Sequence, residues 1–273
     1  MTEPTAAAAF RALHEDAGSF VIPNPWDRGS ARMLAKLGFK ALATTSAGFD
    51  FADGRKEGTA TLDGVLDHCR MIVEATPLPV NADLENGYAA TPEGVAETIR
   101  RAAEAGLAGG SIEDASGDPD HPIYDLGEAV ERVQAAVEAA RALPVPFTLT
   151  ARAENYLFGR PDLDDTIRRL QAFQDAGADV LYAPGPKSRG DIAAIIGAVA
   201  RPVNVIAGLP GMDLSVGDLA GLGVKRISLG SNLFRAAFGA ALRGAREIAE
   251  QGTFGYAADA ASFKEISSLF DAE

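Results

Sequence analysis

Apolar and polar positions follow two recurring patterns along this chain. Short, largely apolar runs that end in polar residues or glycine are separated by longer stretches whose apolar residues lie three and four positions apart. The first pattern is typical of buried strands and the second of amphipathic helices. Eight strand-like runs are recognised, at residues 20–23, 41–45, 78–82, 110–112, 147–151, 180–183, 203–207 and 226–229.

The stretches between the runs carry helix signals as well as helical periodicity. Val95, Ile99 and Ala102 form one apolar stripe, and Thr91 followed by Pro92 predicts a helix start, because proline is favoured at the first helical position. Apolar strands that alternate with helices predict a parallel sheet covered on both faces. Eight repeats favour closure of that sheet, so the predicted fold class is α/β, a (β/α)8 TIM-type barrel.

No linker interrupts the repeats, so residues 1–273 are predicted to form a single barrel domain. Beyond the eighth repeat, residues 252–273 predict a C-terminal helical extension, with one amphipathic helix over residues 256–270. Two roles are open for this helix. It either caps its own barrel or packs on a partner subunit, where it could be swapped between neighbours.

Acidic residues outnumber basic ones by 38 to 25, which gives a net charge of −13. A surface of this sign repels nucleic-acid phosphates and anionic lipids, so neither nucleic acid nor membrane is an expected partner. The single cysteine, Cys69, excludes an intramolecular disulfide. No signal-peptide pattern and no apolar run long enough to span a bilayer is recognised, and a cytoplasmic protein is therefore expected.

Polar residues gather where the predicted strands end. Barrel enzymes place their active sites at the C-terminal ends of the strands, so these residues are candidates for a site. The candidates are Asn24, Trp26, Asp27, Thr45, Ser46, Ala47, Gly48, Asn81, Asp83, Glu85, Glu113, Asp114, Arg152, Glu154 and Asn204. Carboxylates dominate this set, and Arg152 is its one evident cation.

Asp83 and Glu113 follow adjacent strands and are expected to point into the same mouth. Two uncompensated carboxylates at such a distance repel each other, and one would be protonated unless a cation lies between them. Oxygen ligands without nearby histidine or cysteine favour Mg2+, with Mn2+ as the alternative, over Zn2+. The other interpretation is that these acids cap the helices that follow them.

Other catalytic patterns are missing or ambiguous. No Ser-His-Asp arrangement, phosphate-binding loop, dinucleotide-binding fingerprint or Cys-x-x-Cys motif is recognised. His14 and His68 fall on predicted helices, as surface or hydrogen-bonded residues. His121 lies in the long loop after the fourth strand, where a gating or acid–base role is open. Gly230-Ser231 could bind an anion at a helix N-terminus, although such a pair more often forms a tight turn.

Four segments, in their order and spacing, resemble the isocitrate lyase/phosphoenolpyruvate mutase superfamily, and its short members most closely. They are Thr44-Thr45-Ser46-Ala47-Gly48, Asn81-Ala82-Asp83, Ser111-Ile112-Glu113-Asp114 and Thr150-Ala151-Arg152-Ala153-Glu154. The resemblance covers nearly the whole chain. It implies a Mg2+ cofactor (Mn2+ is possible), a homo-oligomer that is a dimer or tetramer, and enolate chemistry on a small 2-oxo acid.

The resemblance also implies roles for the candidates. Asp83 matches the direct metal ligand, and Glu113 an acid that holds the metal through water. The family usually has a further acid where Asn81 stands, and Glu85 is expected to restore the charge. The implied substrate-binding residues are Trp26, Ser46, Ala47, Gly48, Arg152 and Asn204, the metal ligands Asp83, Glu113 and Glu85, and the catalytic residues Arg152, Glu113 and Glu154.

The function expected from this resemblance is that of a Mg2+-dependent carbon–carbon lyase or decarboxylase, which acts on a small 2-oxo or 2-hydroxy carboxylic acid through a metal-stabilised enolate. The Lys-Lys-Cys-Gly motif of the isocitrate and methylisocitrate lyases is absent. A mutase or hydrolase of the phosphonopyruvate P–C bond type is the first alternative, and Ala115 argues against it because it stands where these enzymes have lysine. A non-catalytic 2-oxo acid binding protein is the second, because Asn81 replaces an acid. The sequence does not identify the substrate.

Overall fold

Eight parallel strands form the centre of the protein, and helices follow them on the outside. The structure, a computed structural model, describes residues 5–271. The strands are β1 (Phe20–Ile22), β2 (Leu42–Ala43), β3 (Val80–Asp83), β4 (Gly109–Glu113), β5 (Thr148–Arg152), β6 (Val180–Tyr182), β7 (Val203–Ile206) and β8 (Arg226–Ser228). The helices are α1 (Ala6–Glu15), α2 (Arg28–Lys36), α3 (Ser46–Ala52), α4 (Leu62–Ala75), α5 (Pro92–Glu104), α6 (Leu126–Arg141), α7 (Leu163–Asp175), α8 (Arg189–Ala198), α9 (Val216–Gly221), α10 (Asn232–Gln251) and α11 (Phe263–Ser268).

The strand order closes the sheet into a barrel. β1 pairs with β8, and successive neighbours then run down the chain order to β2, all of them parallel. The Ala43 N–H donates a 3.0 Å hydrogen bond to the Pro23 carbonyl, which links β2 to the segment after β1. The predicted (β/α)8 fold is confirmed, and each of the eight apolar runs contributes one strand.

The helices bury the apolar stripes that the sequence predicted. Val95, Ile99 and Ala102 of α5 are fully buried against the barrel. The Thr91 hydroxyl accepts from the Gly94 N–H ahead of the proline at the start of α5, so the predicted helix start is confirmed. Within residues 5–271, no helix is both long and apolar enough to cross a membrane.

The C-terminal extension differs from its prediction. The single helix predicted over residues 256–270 is wrong, because the segment forms a 3-10 helix, Gly255–Asp259, and then the short helix α11. Ala260 has an extended backbone (φ −73°, ψ 132°) and separates the two. Ser262 then starts α11 by accepting a hydrogen bond from the Glu265 N–H. A local N-cap thus interrupts a continuous amphipathic pattern.

A buried polar network lies where α1 packs across the barrel. Nδ1 of His14 is 2.9 Å from the Phe10 carbonyl oxygen. Because a carbonyl only accepts, Nδ1 carries the proton, and Nε2 faces Nη1 of Arg226 at 3.4 Å. Arg226 is 3% exposed and donates at 2.9 Å to Asn204 Oδ1 and to Thr150 Oγ1. None of these partners is a carboxylate.

We expect His14 to make folding sensitive to acid. Burial and the neighbouring Arg226 charge lower the pKa of His14 from 6.5 to about 3. Between these values the unfolded chain binds a proton that the folded protein does not, so this group's contribution to stability falls as the pH is lowered. Between pH 7.5 and pH 5 the loss should be about 2 kcal/mol.

Urea unfolding of the wild type and of His14→Gln at both pH values measures this contribution. All other titrating groups are common to the two proteins, so the difference between their pH-dependent changes isolates His14. Equal changes in the two proteins would contradict the assignment.

Candidate active site

Two adjoining cavities lie at the C-terminal ends of the strands. The inner cavity, of about 210 Å3, reaches into the barrel between Asp83, Asn204 and Arg226. The outer cavity, of about 350 Å3, lies beside it under the loops that follow β2 to β5. The two share wall residues, namely Ser46, Glu57, Arg152 and Leu157. They therefore form the two compartments of one site.

Arg152, the last residue of β5, lies at the centre of this site. Its Nη1 donates to Asp83 Oδ1 at 2.7 Å and is 3.0 Å from Glu113 Oε2, and its Nε donates to Glu154 Oε1 at 2.9 Å. The guanidinium also lies over the Tyr182 ring, 5.2 Å from the ring centre. The strand register creates this arrangement, because Arg152 pairs directly with Glu113 on one side and with Tyr182 on the other.

Three carboxylates thus share one cation in a largely buried position. The Arg152 side chain is 12% exposed and that of Glu154 is 2% exposed. Burial raises the pKa of Glu113 well above its usual range and raises the pKa of Glu154 to about 7, against the opposing charge of Arg152. Asp83 also accepts hydrogen bonds from the N–H (3.2 Å) and hydroxyl (3.0 Å) of Ser46. The acids outnumber the cation, so the site is suited to a further positive ion.

Glu85 brings another carboxylate to the outer cavity from a strained loop. Glu85 and Tyr88 have positive φ angles of 45° and 52°, a region that residues other than glycine seldom adopt. Glu85 Oε1 is buried and has no hydrogen-bond partner among the described residues. Burial and the negative charge of Asp83 raise the pKa of Glu85 to about 7. An unpartnered buried carboxylate oxygen is an available ligand for a cation.

A buried arginine holds this strained loop in place. Arg132 of α6 is 1% exposed, and its Nη2 donates to the carbonyls of Asn86 (2.8 Å) and Ala89 (2.6 Å). Its guanidinium stacks over the Tyr124 ring at 4.4 Å. The segment that carries Glu85 is therefore fixed by the neighbouring βα unit, which compensates for its backbone strain.

Asp114 lies outside both cavities and holds the backbone of a site residue. It accepts a 2.8 Å hydrogen bond from the Glu154 N–H, and its other oxygen is 3.1 Å from Nη1 of Arg169. Arg169 also bonds Asp165, on its own helix, at 2.8 Å. Neither Asp114 nor Arg169 lies on the wall of either cavity. This buried ion pair fixes the backbone that carries Glu154.

The structure brings most of the predicted site residues together. Ser46, Ala47, Asp83, Arg152 and Asn204 line the inner cavity, and Glu85, Glu113 and Glu154 line the outer one. The interpretation as helix caps is wrong for the four acids on these walls, because none of them is an N-cap in the described chain. They are Asp83, Glu85, Glu113 and Glu154. It is right for Asp27, which caps α2 and accepts from the Ser30 N–H at 2.6 Å.

Two predicted substrate-binding residues lie outside the cavity walls. Trp26 packs edge-on against Phe234, with ring centres 5.5 Å apart. Gly48 lies in the first turn of α3, where a Cβ atom would come within 2.5 Å of the Thr45 side chain. Its N–H donates to Thr45 Oγ1, so this glycine fits the helix start and does not face the cavity.

The three histidines lie outside the site, whereas the Gly230-Ser231 pair lies on the wall of the inner cavity. His14 and His68 are buried and hydrogen-bonded, His68 to the Trp26 carbonyl at 2.9 Å. His121 is 86% exposed, lies 3.5 Å from Asp118 and is not on either cavity wall. Gly230 and Ser231 line the inner cavity at the start of α10, so their tight turn faces the site.

Sequence reasoning missed several residues of the walls, among them Glu57, Tyr182 and Arg226. Arg226 begins β8 on the same face as Ser228, so inward alternation along that strand could have indicated it. Glu57 comes from the loop between α3 and α4, which carries no periodic signal. Partial burial and the charges of Asp83 and Asp50 raise the pKa of Glu57.

Asn81 lies two residues below Asp83 on β3, inside the barrel. Its side chain is buried, its Nδ2 donates to the Ala82 carbonyl, and its Oδ1 has no hydrogen-bond partner among the described residues. Asn81 lines the inner cavity as a neutral amide, whereas Asp83, Glu85 and Glu113 supply the carboxylates of the mouth.

The donor set of the mouth suits a hard divalent cation. Asp83, Glu85 and Glu113 offer only oxygen atoms, which Mg2+ and Mn2+ prefer. Within residues 5–271, no three acid, histidine or cysteine side chains already surround one common point. The carboxylates surround the Arg152 guanidinium instead, so a metal would bind beside Arg152, with Glu85 contributing its unpartnered oxygen.

Known proteins resemble this chain over most of its length. The family described as phosphoenolpyruvate phosphomutase matches residues 10–249. A crystal structure from Burkholderia cenocepacia J2315, provisionally described as a lyase/mutase, is 58% identical with a TM-score of 0.95, over 98% of this chain and 96% of that one.

Two curated relatives are more distant. The uncharacterized protein Rv1998c of Mycobacterium tuberculosis (strain ATCC 25618 / H37Rv) is 31% identical over 245 residues, which are 89% of each chain. An oxaloacetate decarboxylase of Paraburkholderia xenovorans (strain LB400) is 30% identical over 238 residues, which are 84% of this chain and 77% of that one.

Proposed function

We propose that this chain, which belongs to the phosphoenolpyruvate phosphomutase family, is a Mg2+-dependent lyase or decarboxylase that acts on a small 2-oxo or 2-hydroxy acid. Members of the wider isocitrate lyase superfamily are lyases and mutases. The observation that carries the proposal is the convergence of Asp83, Glu113 and Glu154 on Arg152 at the barrel mouth. The relative named oxaloacetate decarboxylase supports a carboxylic acid substrate.

In this proposal Asp83, Glu85 and Glu113 hold the cation, with Mn2+ as a possible substitute. When bound, the cation supplies Lewis-acid polarisation of a substrate carbonyl. Arg152 places its delocalised positive charge beside the same position and stabilises the negative charge that develops as a bond to carbon breaks. A contact of this type commonly contributes about 3 kcal/mol in the transition state.

Glu154 is the residue that we assign to proton transfer. It is buried, bonded to Arg152 Nε through Oε1, and its pKa is raised to about 7 by burial. A carboxyl group with a pKa near the working pH can hold and release a proton, here at the oxygen that does not accept from Arg152. Asp114 fixes the Glu154 backbone and so orients the carboxyl group toward the outer cavity.

The inner cavity is the expected place for the substrate carboxylate. Arg226 contributes a buried guanidinium without a carboxylate partner, and Gly230 and Ser231 lie at the N-terminal end of α10. Both features favour negative charge. Ser46, Ala47 and Asn204 complete this wall, and we assign them to substrate binding.

The two alternatives from the sequence are less well supported. A P–C bond enzyme needs cations for a phosphonate, but Arg152 is the one cation on the described wall of the outer cavity. A non-catalytic binding protein was suggested by Asn81, which lies below the mouth and leaves its acids intact. The description of the matched family as phosphoenolpyruvate phosphomutase favours the first alternative, but the outer wall lacks the additional cations that a phosphonate needs.

Thermal unfolding with and without Mg2+, in the presence of oxalate, pyruvate and a panel of 2-oxo acids, tests the proposal. We expect Mg2+-dependent stabilisation by oxalate, which Asp83→Ala abolishes and Asp120→Ala retains, because Asp120 is an acid away from both cavities. NMR of each stabilising compound then identifies the product. If no compound gives a Mg2+-dependent shift, the proposed function is wrong.

We also propose a homo-oligomer, either a dimer or a tetramer. Large apolar side chains are exposed along α10 and the C-terminal extension, including Phe238 (56%), Phe254 (67%) and Phe263 (91%). Large apolar side chains that are exposed together on neighbouring segments favour a protein interface. Phe263→Asp should lower the mass measured by light scattering, whereas Val145→Asp, at a separate exposed position, should not. A monomeric wild type would contradict the proposal.

A further inference from the structure

The outer cavity is walled by carboxyl groups from four separate segments, namely Glu57, Glu85, Glu113 and Glu154. Arg152 is the one cation on this wall among the described residues, and three carboxylates already share it. The remaining wall is neutral, with Leu157 and Phe158 on one side. A bound divalent cation would offset part of this negative charge, and the wall offers no further cation for a second anionic group of the substrate.

The inner cavity is less acidic, because Glu57 and Asp83 on its wall are matched by Arg152 and Arg226. Arg226 is buried there beside Asn204 and Thr150, and it has no carboxylate partner. The start of α10 faces the same cavity through Gly230 and Ser231. The two compartments therefore differ in charge, so a substrate with one carboxylate would be oriented with that carboxylate inward and the rest of the molecule in the outer cavity.

Glu57 is placed to control which group the outer cavity accepts. It is the only glutamate on the walls of both cavities among the described residues. It forms no ion pair with Arg152, unlike Asp83, Glu113 and Glu154. Its loop, between α3 and α4, puts an exposed carboxylate on the wall that the two cavities share.

We infer that the substrate is a 2-oxo monocarboxylate whose distal group is uncharged or cationic, and that Glu57 is the residue that disfavours a second anion. The inference rests on the proposed function and narrows it to carbon–carbon lyase chemistry, because decarboxylation that leaves an enolate requires a second carboxylate on the carbon next to the carbonyl. It predicts that this protein differs in substrate from the relative named oxaloacetate decarboxylase, because oxaloacetate carries a second carboxylate. Like charges in a partly desolvated cavity repel strongly enough to change affinity by about tenfold or more.

Calorimetric titration of the full-length protein with Mg2+ tests this inference with a pair of ligands of similar length. We expect 2-oxohexanoate to bind at least about tenfold more tightly than 2-oxoglutarate, with pyruvate as the reference ligand that does not extend into the outer cavity. Glu57→Gln should lower the ratio of the affinity for 2-oxohexanoate to the affinity for 2-oxoglutarate. Glu57→Lys should make 2-oxoglutarate the tighter ligand. Glu138→Lys makes the same charge change on an exposed part of α6 and should leave the ratio unchanged.

The titration distinguishes a failure of the inferred substrate class from a failure of the proposed function. If pyruvate binds with Mg2+ but 2-oxoglutarate binds as tightly as 2-oxohexanoate, the inference is overturned while the proposed function stands. An unchanged ratio in Glu57→Lys, with pyruvate binding retained, would overturn the role of Glu57. Failure of all three ligands to bind would overturn the proposed function together with the inference.

Discussion

Replacing Arg152 with glutamine is expected to lower turnover by about 10^3-fold, since the charge that faces the developing negative charge is lost. The same change leaves Asp83, Glu113 and Glu154 without their shared cation. Removal of one partner from a buried ion pair commonly costs about 3 to 5 kcal/mol. The loss of stability should be larger at pH 8 than at pH 6, because protonation relieves the repulsion between the remaining carboxylates.

Arg169→Gln is the matched control for this prediction. Arg169 is another buried arginine that pairs with two acids, Asp114 and Asp165, but it lies on neither cavity wall. We expect a similar loss in the free energy of unfolding with a smaller loss of turnover, because Arg169 acts on the site only through Asp114 and the Glu154 backbone. Turnover on the 2-oxo acid identified by NMR and urea unfolding at pH 6 and pH 8 measure both effects. Turnover within about tenfold of the wild type in folded Arg152→Gln would contradict the assigned role.

The barrel could be predicted from the sequence because the helix caps and the apolar strand runs indicate the same order of elements. Every strand is an apolar run that must be buried on both faces, and the intervening helices carry their own caps, such as Thr91 before α5. The C-terminal extension could not be predicted in the same way. Its residues, such as Phe254 and Phe263, are exposed in the described chain, so the apolar pattern there is not tied to the barrel core.

The candidate site could be predicted only where it follows the strand ends. Asp83, Glu113 and Arg152 are the last residues of β3, β4 and β5, so the fold alone brings them together. Glu57 comes from a loop, whose path over the mouth depends on tertiary contacts. Arg226 begins β8, away from the strand end that carries the other candidates, and only its alternation with Ser228 indicates that it faces the barrel interior.

Gly109→Ala is expected to be among the most destabilising small substitutions in this chain. A Cβ atom at Gly109 would lie 2.5 Å from the Thr148 carbonyl oxygen and 3.0 Å from both Asn81 Oδ1 and the Phe10 ring. Gly109 is paired in register with Thr148 on β5 and with Asn81 on β3, so the backbone cannot move away without breaking the sheet on both sides. We expect a loss of about 3 kcal/mol or more.

Gly127→Ala makes the same chemical change, but we expect it to raise the free energy of unfolding. Gly127 lies in the first turn of α6, and a Cβ atom there would meet nothing within 4 Å. Alanine in a helix should therefore stabilise the protein by about 0.5 to 1 kcal/mol. Urea unfolding of both variants at one pH measures the difference. A Gly109→Ala protein as stable as Gly127→Ala would mean that β4 can shift against β5, and the same register sets the contact between Glu113 and Arg152.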